Sequence, residues 1–75
     1  MIKRVLGKRI AELRRAKGFA QEELAELAGY STEFIGRVER GVNAPSVAGL
    51  ERIARSLGVE IKDLFDFQVE AKGGD

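Results

Sequence analysis

Residues 21–41 read QEELAELAGYSTEFIGRVERG, and the spacing of apolar side chains in this stretch decides the fold. Gln21 to Ala28 carries Leu24, Leu27 and Ala28 on one side and Glu22, Glu23 and Glu26 on the other. That pattern has the helical period. It predicts a short helix beginning near Ala20, with acids in the first turn at the positive end of the helix dipole. Gly29 ends the helix, because glycine enters the left-handed backbone region at little cost. Ser31 then offers a hydroxyl N-cap to a further helix over residues 32–40, with Ile35 and Val38 facing inward.

Two helices joined by a turn of about three residues cross steeply. The crossing needs a small residue at the approach, a glycine at the turn and aliphatic residues in the second helix, and Ala25, Gly29, Ile35 and Val38 fill those places. The arrangement predicted is a helix-turn-helix. Thr32, Glu33, Gly36, Arg37 and Arg40 are left on the outer face of its second helix. A helix presented in this way fits the width of the major groove of duplex DNA.

Outside this pair the same periodicity continues. Leu6, Ile10 and Leu13, extended by Ala16 and stopped by Gly18, predict a first helix over residues 4–17. Gly41-Val42-Asn43-Ala44-Pro45 reads as a loop and holds the single proline. Ser46 is an N-cap for a fourth helix carrying Val47, Leu50, Ile53, Ala54 and Leu57, closed by Gly58. Ile61, Leu64 and Phe65 predict a fifth, short helix starting near Glu60. Repeats, strand alternation and low-complexity runs are missing from the sequence. The expected fold is all-α, with five helices in one domain over residues 1–68, a helix-turn-helix core over 21–40, and a flexible tail over 69–75.

Composition narrows the function. A chain of 75 residues is one domain at most. Cysteine and histidine are both absent, which removes disulfides, thiol nucleophiles, imidazole bases and nearly every zinc site. Glu22 and Glu23, adjacent on a helix, point about 100° apart and make a poor catalytic pair. No enzymatic activity, cofactor or metal is expected. The net charge of +1 hides a polarised chain. Residues 1–20 carry seven Lys/Arg against Glu12, net +6, and residues 21–39 carry five acids against Arg37, net −4. Residues 40–58 are net +2 and residues 59–75 net −3. A basic amino-terminal segment with an acidic carboxy-terminal one fits a polyanion-binding surface on one side of the molecule, or simply a solvated helix face. No apolar run of even five residues follows the basic start, so no signal or membrane span is read, and a cytoplasmic protein without a membrane partner is expected.

At this point the chain resembles the helix-turn-helix domain of phage repressor and Cro proteins, a group that includes restriction-modification controllers, antitoxins and xenobiotic-response-type regulators. The resemblance rests on Gly7, Ile10, Leu13-Arg14, Lys17-Gly18-Phe19, Gln21-Glu22-Glu23-Leu24-Ala25, Ala28-Gly29, Ser31, Ile35, Val38-Glu39-Arg40-Gly41, Pro45-Ser46, Leu50, Ile53-Ala54, Leu57-Gly58-Val59 and Leu64-Phe65. It covers residues 6–66. It implies a compact, repressor-like five-helix domain that binds double-stranded DNA.

The resemblance also implies roles. Gln21 touches a phosphate from the start of its helix. Ser31, Thr32, Glu33, Phe34 and Arg37 sit where the family reads DNA. Arg37 is the first choice for a base contact, since a guanidinium grips guanine through two hydrogen bonds. Glu33 either accepts from a cytosine amino group or stays in solvent, and Phe34 either packs on a thymine methyl or sugar, or belongs to the core. Arg40 and Asn43 contact the sugar-phosphate backbone. Lys3, Arg4, Lys8 and Arg9 add longer-range attraction. Arg14 and Glu39 match a buried salt bridge of some phage repressors. Ala20 departs from the family, which has Ser or Thr as the cap there, a loss of about 0.5–2 kcal/mol at the helix start.

Members of this group bind palindromic sites as dimers. Ile61, Leu64, Phe65 and Phe67 are the candidates for the dimer contact, the alternative being that all four pack within the chain. The function expected is a sequence-specific dimeric transcriptional regulator, a repressor or autoregulator. The alternative is a protein-interaction module such as an antitoxin or a bridging coactivator.

Overall fold

Apolar side chains at helical spacing build four α-helices: α1 (Ile2–Ala16), α2 (Gln21–Ala28), α3 (Thr32–Glu39) and α4 (Val47–Leu57), followed by a 3-10 helix, Ile61–Phe65. These come from a computed structural model that describes residues 1–67; the tail expected over 69–75 lies outside the described residues. Among the described residues there is no strand, so the all-α expectation holds with four α-helices in place of five. No helix among them is long and apolar enough to cross a membrane.

The ends of the helices follow from local chemistry. Ser31 Oγ accepts a hydrogen bond from the Phe34 amide at 3.0 Å, and Ser46 Oγ accepts one from the Gly49 amide at 3.1 Å, so both serines cap as their positions predict. Ala20 has no side-chain acceptor, but the Glu23 carboxylate reaches back to the Ala20 amide at 2.7 Å. Half of a reciprocal cap therefore survives the missing hydroxyl. Gly29 ends α2 with φ of 78°, the left-handed value that lets the chain turn at once into α3.

The fifth helix is corrected from α to 3-10. The segment is five residues long, and its start is held by two contacts with i,i+3 spacing: the Asp63 carboxylate accepts from the Glu60 amide at 2.9 Å, and the Asp63 amide donates to the Glu60 carbonyl at 2.9 Å. One tight turn of this kind suits a short connector, where an α-helix would have too few residues to repeat its bonding.

The core gathers Leu6 and Ile10 of α1, Leu24, Ala25 and Ala28 of α2, Ile35 and Val38 of α3, Leu50, Ile53, Ala54 and Leu57 of α4, and Leu64. Leu27 was expected beside Leu24 and Ala28 but is 58% exposed. At about 100° per residue it falls roughly 100° away from the middle of the face that Leu24, Ala25 and Ala28 share. α2 packs on both α3 and α4, while α1 packs on α3 and, with α4, holds the 3-10 helix. The inner side of α3 is thereby covered and its other side is left open.

α1 and the end of α3 approach each other closely at Gly7. A Cβ on Gly7 would overlap the Val38 carbonyl oxygen and lie 2.8 Å from that of Glu39. Both neighbours are backbone and cannot swing aside. Gly7→Ala is expected to cost about 1–3 kcal/mol by overpacking, lowering Tm by roughly 5–15 °C in a domain of this size. Thermal unfolding followed by circular dichroism measures this, and an unchanged Tm would mean that the two helices are not in contact at Gly7.

Candidate nucleic-acid interface

An eight-residue helix such as α3 has little stability of its own in water, so its direction depends on what grips its ends. At its amino end Ser31 caps it. At its carboxyl end Glu39 receives three hydrogen bonds, from Arg14 Nε at 2.7 Å, Arg14 Nη2 at 3.1 Å and Gln21 Nε2 at 2.9 Å. Arg14 also donates from Nη1 to the Phe19 carbonyl at 2.7 Å. The Arg14 and Glu39 side chains are only 10% and 5% exposed, so the pair is the buried bridge that the resemblance implied. It joins α1, the α1–α2 connection, the start of α2 and the end of α3.

Gln21 was expected to face a phosphate. The structure gives it a second partner within the chain, because one hydrogen of its amide goes to Glu39. The amide carries two donors, which leaves one for an external acceptor beside the amino terminus of α2.

On the outer side of α3, Thr32, Glu33 and Arg40 are exposed and Arg37 is half-buried. Arg37 is braced on both flanks: its Nη1 lies 3.3 Å from Glu33 Oε2, and its Nε donates to Asn43 Oδ1 at 3.0 Å. A guanidinium has five N–H donors. With Nε given to Asn43 and one Nη1 hydrogen turned to Glu33, the end of the fork still has both Nη2 hydrogens and one on Nη1 free. That is enough for a two-bond grip on a base edge or a phosphate. Asn43 accepts through Oδ1, so its amide hydrogens remain to donate. The Ser31 hydroxyl accepts at the cap and still has its own hydrogen to give.

Two expectations for this face change. Gly36 was counted among the exposed residues but is buried. The Arg40 guanidinium and the Gln21 side chain cover it, and a Cβ there would lie 3.3 Å from Arg40 Nη1 and 3.8 Å from Gln21 Oε1. Phe34 is half-buried against the core and lies over Tyr30, with ring centroids 4.6 Å apart and planes tilted by 32°. This packing fits the core alternative, while its partial exposure leaves part of the side chain open.

Tyr30 and Arg52 were not singled out in the sequence. Arg52 sits over the Tyr30 ring, 5.0 Å from its centroid, and donates from Nε to the Ala28 carbonyl at 3.0 Å. Together they lock the turn between α2 and α3 onto α4. An aromatic residue directly after the turn glycine was the available signal; its partner, 22 positions on in the sequence, carried none.

The four residues expected at a dimer contact are not equivalent. Leu64 is fully buried in the chain's own core, which removes it as a contact for a second chain. Phe67 is half-buried against the core with its ring edge on Phe65, centroids 6.1 Å apart. Ile61 and Phe65, 38% and 43% exposed, remain as an open apolar pair.

Residues 10–64 match the helix-turn-helix family. The chain belongs to that family, in its Cro/C1 type. The likeness to phage repressor and Cro proteins read from the sequence is thereby confirmed. The HTH-type transcriptional regulator y4dJ of Sinorhizobium fredii is 36% identical over 63 residues, which cover 84% of this chain and 82% of that protein. The restriction-modification controller protein C.AhdI from Aeromonas hydrophila superposes with a TM-score of 0.83 at 39% identity, covering 85% of this chain and 97% of its own. The Bacillus subtilis regulator SinR is 33% identical over 69 residues, which make up 62% of its length. Its structure in complex with DNA matches with a TM-score of 0.76 at 35% identity, over 81% of this chain and 98% of that one. SinR is also known in a complex with SinI protein.

The bridge at Glu39 makes its own prediction. Removing one member of a buried ion pair strands the other, at about 3–5 kcal/mol, whereas replacing both is far less costly. Glu39→Leu should therefore unfold at much lower urea concentration than the parent, and Arg14→Met with Glu39→Leu should recover more than half of the loss. If the double variant is no more stable than Glu39→Leu alone, the guanidinium is not what Glu39 neutralises.

Proposed function

We infer that this helix-turn-helix protein is a sequence-specific DNA-binding transcriptional regulator, a repressor or autoregulator acting in the cytoplasm, that reads a palindromic operator as a homodimer. The observation that carries this reading is the outer edge of α3. Thr32, Glu33 and Arg37 stand along it, Arg37 is held ready between Glu33 and Asn43, and the Glu39 bridge sets the angle of the helix.

Thr32, Glu33 and Arg37 face base edges, with Arg37 the main discriminator, and the open part of Phe34 borders a thymine methyl or a sugar. Gln21, Ser31, Arg40 and Asn43 hold the sugar-phosphate backbone, which fixes register without carrying sequence information. Glu33 cannot face phosphate without repulsion. Its place beside Arg37 leaves it either neutralised there or accepting from a cytosine amino group.

One such helix reads too few base pairs for useful selectivity, so two copies act on half-sites about 34–36 Å apart. Ile61 and Phe65, exposed on the 3-10 helix, supply the apolar contact between them. Dimerisation through so small a patch makes DNA binding cooperative in protein concentration.

Selection from random duplexes is expected to return a palindrome. On that duplex, Arg37→Ala should relax the preference at one base pair per half-site by about 1–3 kcal/mol. Arg40→Ala should instead weaken binding to all sequences alike and lower the log–log salt slope by about 1. If Arg37→Ala leaves both affinity and preference untouched, the DNA reading fails and a protein-interaction module takes its place. Ile61→Asp should yield a monomer in sedimentation velocity at concentrations where the parent is dimeric, with its helical content intact. A dimer that survives Ile61→Asp places the contact elsewhere.

A further inference from the structure

Arg4, Lys8 and Arg15 recur at i, i+4 and i+11 on α1 and fall within one narrow sector of it at about 100° per residue. All three are exposed. Among the described residues none of them is paired with a carboxylate. A shallow concavity runs beside them, with Val5, the nearly buried Ala11 and Phe67 in its lining and Gln21, Glu39 and Arg40 on its border. Two carboxylates also line it, and each has a cationic neighbour. Glu39 is bound to Arg14, and Glu12 lies 3.7 Å from Arg9.

The stripe is therefore cationic, about 16 Å long by helical rise, and continuous with Gln21 and Arg40, the residues assigned to backbone contact. The rise of B-DNA over the same length is about five base pairs. We propose that this α1 stripe is a second phosphate track, which holds the DNA backbone outside the base pairs that α3 reads and so extends the footprint of each protomer into flanking DNA. The proposal rests on the DNA-binding reading above and adds a surface that base recognition does not need. Its occupant is a polyanion with regular charge spacing, recognised without sequence preference. The side chains are flexible single cations separated by whole turns, with no fixed donors at short range that would select a base or a compact anion.

The test uses two double variants of equal charge. Lys8→Gln with Arg15→Gln removes two of the three cations of the stripe, while Lys17→Gln with Arg55→Gln removes two exposed cations that lie outside it, after the end of α1 and on α4. Arg4 is left in place because its stem packs on Gly41. Affinity is measured against salt on the selected palindrome in two duplexes, one extending about 12 base pairs beyond the motif on each side and one trimmed to the motif. Each phosphate neutralised contributes about −0.9 to the log–log slope.

On the long duplex the K8Q/R15Q variant should lose about 1.8 in slope per protomer, with the ratio of operator to scrambled affinity unchanged. The K17Q/R55Q variant should stay within about 0.5 of the parent. On the trimmed duplex K8Q/R15Q should match the parent. Equal losses from both double variants, or a loss that persists on the trimmed duplex, would overturn the flanking track. A parental slope in K8Q/R15Q would overturn it too, leaving the stripe to an acidic protein. If the parent itself shows no salt-dependent binding to any duplex, the DNA-binding reading falls first and takes the track with it.

Discussion

The carboxylate of Glu39 holds three separate parts of the chain at one point. It takes two hydrogen bonds from Arg14 at the end of α1 and one from Gln21 at the start of α2, while sitting itself on the last turn of α3. Each of the helices it connects is short enough to fray alone, and the crossing of α2 and α3 is steep. Apolar packing of Ile35 and Val38 decides that α3 stays on the core, but such packing is non-directional and tolerates rotation. Charge-assisted hydrogen bonds do not, because a guanidinium and a carboxylate have a fixed fork geometry. The bridge thus turns a generic hydrophobic contact into a defined orientation. That it is buried makes it costly to break and of little net value to stability, which fits a role in setting geometry.

The same point of attachment would couple the two kinds of DNA contact proposed above. In the proposed reading Gln21 faces the DNA backbone and Arg37 the bases, and Glu39 restrains both, Gln21 directly and Arg37 through the helix they share. Arg37 is further held by Glu33 and Asn43. Ordering a long side chain at an interface costs about 0.5–1.5 kcal/mol, and the two braces meet part of that before any ligand arrives. They also impose a condition on sequence. If the Arg37 fork turns to a base as proposed, Glu33 would lose part of its neutralisation and favour a neighbour with a hydrogen to donate, so the two positions would be read together.

Much of the fold was legible because it is written in local chemistry. Ser31 and Ser46 cap where a hydroxyl precedes an apolar run, and Gly29 and Gly58 stop helices in the left-handed conformation they alone adopt freely. The departures at Leu64, Gly36 and Asn43 depend on what meets those residues in three dimensions. Leu64 looked available on a terminal helix, yet α1 and α4 close over it. Gly36 looked exposed on α3, yet Arg40 and Gln21 lie across it. Asn43 was visible as a backbone contact, but its support of Arg37 runs from the loop back to the helix and leaves no periodic trace. Periodicity says which side of a helix faces in; it does not say which long polar side chains fold back over the other side.

Size adds a last constraint. A chain of 75 residues buries only about 60% of the surface its unfolded form exposes, so little apolar surface can be left in water without cost. Ile61 and Phe65 are left there all the same, at the edge of a five-residue 3-10 helix that one core side chain, Leu64, anchors. Removing them from water in a dimer would stabilise this short segment as well as the pair of chains, since anything that binds only the folded form shifts the folding equilibrium. Assembly, order in the 3-10 helix and spacing of the two α3 edges would then be linked in one equilibrium. A low protein concentration would loosen all three together, which would give such a regulator a concentration threshold.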